Sequence, residues 1–173
     1  MLIGCVIAIS LSACGGGSST SGADERRDEL ALFLGHYADC RTRHNDVEIR
    51  DKMVAAGTLG EARRVVQLAP RAAEAALAQR LCVRAATSAT GVVGALRDRI
   101  ARPLFDIALG YSVAGDGFKA REPERTHLLS RSEALQHKAA RELGKAVGTA
   151  LATYIKLGGS PHDEVVKRVQ AAP

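Results

Sequence analysis

Residues 124–157 read ERTHLLSRSEALQHKAARELGKAVGTALATYIKL, and this stretch decides the fold class. Leu128, Ser132, Leu135, Ala139, Leu143, Val147, Leu151 and Tyr154 recur at three- and four-residue steps, the period of one helix face. Good helix formers fill the positions between them, and no proline interrupts the run. The spacing predicts one long helix from about Glu124 to Leu157, ended by Gly158-Gly159. Ser160 and Pro161 then predict a short last helix with Val165, Val166 and Val169 inward.

Working back toward the N-terminus, the same period recurs. Leu30, Phe33, Leu34, Tyr37, Cys40, His44, Val47 and Val54 predict a first helix from about Ala23 to Ala56, with Ser21 and Asp24 resembling a capping box and Gly57 as C-cap. Thr58-Leu59-Gly60-Glu61 reads as the capping box of a second helix through Val65, Val66 and Leu68. Pro70 should kink or split that helix before it resumes through Ala73, Leu77, Leu81 and Cys82. A break is expected at Thr87–Gly91. A third helix follows through Val92, Val93, Leu96 and Ile100, restarts or kinks at Pro103, and ends near Val113 before a turn at Gly115-Asp116-Gly117. The expected fold is all-α: a bundle of three or four long helices plus a short C-terminal one, over residues 24–173.

Composition agrees. Of 173 residues 46% are hydrophobic but only 3% aromatic, and 30 alanines fill the difference. Alanine-rich helices argue against a β-sandwich or barrel. The lack of aromatics argues against base-stacking nucleic-acid modules and against an aromatic-lined ligand pocket, so closely spaced helices with little room between them are expected. The net charge of +5 comes from 24 Lys and Arg against 19 Asp and Glu, spread along the chain.

The first residues have a different character. Residues 1–13 carry no charged side chain, and their apolar run is shorter than the roughly 20 residues a helix needs to cross a bilayer. It ends in Leu11-Ser12-Ala13-Cys14, followed by the glycine–serine run of residues 15–22. This pattern resembles the signal peptide and lipobox of bacterial lipoproteins. The resemblance implies cleavage between Ala13 and Cys14, lipidation of Cys14, and a flexible tether over residues 14–23. Several acyl chains on one residue would give a stable membrane anchor, since each buried CH₂ adds about 0.8 kcal/mol. By the same resemblance, Gly15 in place of Asp implies the outer membrane, with the domain facing the periplasm.

An exported chain with its lipid on Cys14 keeps Cys40 and Cys82. Both lie on apolar faces of successive helices in an oxidising compartment, so a Cys40–Cys82 disulfide is expected, contributing on the order of 3–4 kcal/mol. The alternative is two reduced, buried thiols. His36, Cys40 and His44 repeat every four residues, a spacing that could offer two imidazoles and a thiol to one metal ion, although a disulfide would consume Cys40.

No nucleophile elbow, zinc-protease helix, Cys-x-x-Cys or phosphate loop occurs, so no catalytic residue and no cofactor are expected. Asp46/Arg50, Glu48/Lys52 and Asp98/Arg102 are spaced as solvated helix ion pairs. The small-residue stripe Ala140, Gly144, Gly148 and Ala152 reads as tight packing within the bundle, with dimerisation as the alternative. The expectation is a non-enzymatic lipoprotein with an interaction or structural role in the envelope. It would touch the membrane through its anchor and an envelope protein through its domain, and would not bind nucleic acid. The alternatives are a periplasmic metal-binding module using His36 and His44, and an inhibitor or immunity protein against an envelope-targeting toxin.

Overall fold

The computed structural model describes residues 22–86 and 91–173. The expected signal peptide, Cys14, the Ser21 cap and Thr87–Thr90 of the expected break lie outside the described residues. The elements are α1 (Gly22–Arg43), α2 (Val47–Thr58), α3 (Ala62–Arg84), α4 (Gly91–Lys119), α5 (Glu124–Lys156) and α6 (Glu164–Ala171). No strand occurs among the described residues, and the chain is the expected all-α bundle. α4 is its axis and packs along both α3 and α5. α2 lies on α3, and α6 on α1.

The long final helix forms as its period predicts. Ser132, Ala139, Leu143, Ala146, Ala150 and Tyr154 are buried at three-, four- and seven-residue steps. Its end is a Schellman turn: Gly159 N–H reaches Tyr154 O at 3.1 Å, Gly158 N–H reaches Ile155 O at 3.0 Å, and Gly158 holds φ +97°.

Four boundaries differ from the sequence reading. The expected single helix over 23–56 breaks at His44–Asp46. There the Asn45 side-chain oxygen accepts from Val47 N–H at 3.0 Å, a local turn that competes with the helix ladder. The apolar period runs unbroken across this turn, which hid it, and Val54 beyond it is 59% exposed instead of inward. Leu81, also expected inward, is exposed.

The capping box at Thr58 does not form. Thr58 is the last residue of α2 and donates Oγ1–H to Val54 O at 3.0 Å. The chain reverses at Gly60 instead of Gly57, with φ +73° and a 2.8 Å bond from Glu61 N–H to Ala56 O. Pro70 and Pro103 lie inside α3 and α4, and neither splits its helix.

The expected turn at Gly115–Gly117 is helix, and α4 continues to Lys119. These glycines are packing sites. A Cβ on Gly115 would lie 2.9 Å from Ala69 Cβ, and one on Gly117 would lie 2.9 Å from Leu129 Cδ2. Finally, α6 begins after Asp163, not Ser160. The Asp163 carboxylate accepts from Tyr154 O–H at 2.6 Å and from Ser160 N–H at 2.8 Å, pinning the α5–α6 connection.

Candidate functional site

Cys40 on α1 and Cys82 on α3 form a disulfide with a Cα–Cα distance of 5.7 Å. Each cysteine sits near the end of its helix, so the bond ties the last turn of α1 to the last turn of α3. His36, one turn before Cys40, donates Nε2–H to Cys82 O at 2.7 Å and lies 3.4 Å from Cys40 Sγ. Among the described residues, His36, Cys40 and Cys82 are the only group spaced like metal ligands. Two of its three ligands are sulfurs bonded to each other, which are not thiolates. His44 stands beyond the end of α1, outside this group. The metal trio suggested by the four-residue spacing is therefore not assembled.

A more developed site lies on the other side of the α1–α2 turn. A cavity of about 310 Å³ opens between that turn, α4 and α5, within the range of small-molecule pockets. Tyr37 and Arg41 enter it from α1, Asp46 and Arg50 from the turn and α2, Tyr111 from α4, and Ala140, Leu143 and Gly144 from α5. This overturns the expectation of helices too closely spaced to leave a pocket. Alanine and glycine on α5 do the opposite of what composition suggested: a missing side chain here leaves space, not a close contact.

Asp46 is 5% exposed and is held from two sides. Tyr111 O–H donates to its Oδ2 at 2.8 Å, and Arg41 stands 3.8 Å from its Oδ1. The Asp46/Arg50 pair expected from spacing does not form; Arg50 turns to Asp51 at 2.9 Å. Burial and the adjacent Asp46 carboxylate push the Tyr111 phenol well above the usual tyrosine range. Burial likewise raises Tyr37. Both phenols stay protonated at physiological pH and can only donate from O–H or accept, so the chamber offers neutral hydroxyls beside two guanidinium groups.

The remaining expected pairs divide. Glu48 and Lys52 meet at 2.5 Å, whereas Asp98 pairs with its neighbour Arg97 at 3.1 Å and not with Arg102. The stripe Ala140, Gly144, Gly148 and Ala152 is exposed, and a Cβ on Gly144 or Gly148 would meet nothing within 4 Å. It is not the packing seam it was expected to be. The positive charge is also less evenly spread than composition implied. Two adjoining surface recesses share Arg102 and Asp106; cations, from Arg80 to Lys145, outnumber the carboxylates Asp98, Asp106 and Glu142 in their lining by two to one. Arg80 lies over the exposed Phe105 ring at 5.3 Å.

Reading the sequence alone misses the chamber because Tyr37 and Tyr111 look like ordinary core residues. One signal was available. Arg41 follows Tyr37 by one turn and adjoins Cys40, which puts a cation at the margin of an otherwise apolar helix face. The chain matches no protein-family model, no curated protein and no solved structure.

Proposed function

We propose that this chain is an exported lipoprotein, anchored through Cys14 in a bacterial envelope and carrying a non-enzymatic helical domain on a short tether. The observation that carries the reading is the Cys40–Cys82 disulfide, the kind of bond that persists in oxidising compartments and is rare in the cytosol. It accounts for two of the three cysteines that follow residue 13 and leaves Cys14, at the end of Leu11-Ser12-Ala13-Cys14, as the free thiol for a lipid. No helix among the described residues is long and apolar enough to cross a membrane, so a lipid is the attachment this reading requires. The cationic recesses around Arg102 suit a domain held close to anionic headgroups, where each well-placed cation adds about 1 kcal/mol. An interaction or structural role at the periplasmic face of the outer membrane follows from the same reading.

The test is metabolic labelling with a fatty-acid analogue, combined with mass analysis of the mature N-terminus. The expected product begins at an acylated Cys14, and Cys14→Ser abolishes labelling. A mature chain that begins at an unmodified Met1 overturns the proposal.

A further inference from the structure

Two hydrogen-bond donors in the chamber have no acceptor among the described residues and face the solvent of the open cavity. The Arg41 side chain is only 16% exposed, yet its one charged neighbour is an Asp46 oxygen at 3.8 Å, beyond hydrogen-bond reach. No described residue accepts a hydrogen bond from its guanidinium. Tyr37 is 4% exposed, and its hydroxyl has no partner among the described residues either. Both groups line the same open cavity, so an acceptor brought by a ligand would replace only water there.

The geometry points to a binding site for a small organic carboxylate, with the carboxylate received by Arg41 and Tyr37 and a short apolar body against Ile107, Leu143 and Val147. Charge selects the class. Arg41 and Arg50 stand against Asp46 in the lining, and with Arg50 already paired to Asp51 the weakly positive cavity suits a monoanion better than a dianionic phosphate. The planar fork of a guanidinium matches a carboxylate in two parallel hydrogen bonds. Tyr111 holds Asp46 Oδ2, while Oδ1 lies 3.8 Å from Arg41, so the one negative group of the lining stands beside the guanidinium without taking its hydrogen bonds. Arg50, bound to Asp51, sits farther out as a second cation. This inference does not depend on the anchor at Cys14.

Hexanoate, hexanamide and inorganic phosphate are titrated into the full-length chain in nonionic micelles. The readout is tyrosine fluorescence, which is unobscured because the chain has no tryptophan. Arg41→Met removes the guanidinium and keeps the stem. Gly144→Leu fills the chamber from a lining position where a Cβ meets nothing within 4 Å, so its first atom enters open space. Hexanoate is expected to bind saturably, with hexanamide and phosphate weaker by about tenfold or more, as loss of a charged hydrogen bond gives. Each variant should weaken hexanoate by a similar factor. No saturable hexanoate binding, equal binding of hexanamide, or unchanged binding to Gly144→Leu would each overturn the proposal. If Arg41→Met does not fold, the Gly144→Leu comparison still decides.

Discussion

The hydroxyl of Tyr111, on the central helix α4, donates to Asp46 Oδ2 at 2.8 Å across 65 residues of sequence. Asp46 immediately precedes α2, but its side chain makes no capping bond there. Asn45 satisfies Val47 N–H instead, at 3.0 Å. This division of labour frees the Asp46 carboxylate to fasten the α1–α2 turn to the core, and it builds one wall of the chamber.

Tyr111→Phe should therefore leave a buried carboxylate with only the distant Arg41. The expected loss is about 1.5–3 kcal/mol, the usual value of a hydrogen bond to a charged group. In a domain of this size that lowers Tm by roughly 3–10 °C. Asp46→Asn, whose amide oxygen can still accept from Tyr111, should cost less. The double variant should cost less than the sum of the two, because they remove one interaction. Thermal melts of the four proteins check this, and simple additivity would show that the two residues do not act as a pair.

All three tyrosines should resist ionisation. Burial raises Tyr37, burial and then Asp46 raise Tyr111, and the hydrogen bond to Asp163 raises Tyr154. A folded-state pKa above the unfolded value gives stability that is complete below the unfolded value, about 10, and lost as pH rises toward the folded one. The expected result is tyrosinate absorbance that rises together with loss of helical signal. A half-maximal tyrosinate signal near pH 10 from a chain that is still helical would contradict it.

Removing the disulfide tests the α1–α3 staple. Cys40 and Cys82 enclose a separation of 42 residues, for which loop-closure entropy gives about 4 kcal/mol. Cys40→Ala with Cys82→Ala, or reduction of the parent, should lower Tm by roughly 8–16 °C. Hydrogen exchange should rise first at the ends of α1 and α3. A parent protein that keeps its Tm in reductant would mean the bond adds nothing to the folded state.

The helices were legible wherever a strong period met a real terminus. α5 is read almost to the residue because Gly158 both ends the pattern and adopts the positive φ that a Schellman turn needs. The His44–Asp46 turn was illegible because the apolar spacing carries on through it, and only the side chain of Asn45 interrupts the ladder. Glycine misled in both directions, since its residue type does not say whether its missing side chain admits a neighbour, a turn or solvent. The pairing of Cys40 with Cys82 needed only helix order. Arg41 already lies one helical turn from Tyr37, but bringing Asp46 over Tyr111 needed the turn between α1 and α2, and so the chamber could not be seen without the fold.

That ambiguity makes a paired prediction about the glycines. Gly115→Ala brings a Cβ to 2.9 Å from Ala69 Cβ, a methyl fixed to its backbone, so α3 and α4 must move apart. The expected cost is about 1–3 kcal/mol of overpacking. Gly144→Ala and Gly148→Ala meet nothing within 4 Å on an exposed helix face. Each should stabilise by about 0.5–1 kcal/mol from helix propensity alone. Opposite signs in chemical denaturation are the expected outcome. The same sign at all three positions would refute the assignment of Gly115 to packing and of Gly144 and Gly148 to positions with open space beside them.

Gln79 carries the last prediction. It is 0% exposed on α3, between Ala76 and Val83 on the buried face, and neither Oε1 nor Nε2 has a hydrogen-bond partner among the described residues. A buried amide left unpaired costs about 1–3 kcal/mol relative to one that is satisfied. Methionine has nearly the same length and flexibility and no polar atom to desolvate, so Gln79→Met should keep the packing and remove that penalty. The expected change is a rise in Tm of roughly 2–10 °C with the denaturant slope unchanged, since the buried area is conserved. A fall in Tm would show that the amide is satisfied in solution, for example by an internal water, and would move Gln79 from a strained core residue to one end of a buried polar network.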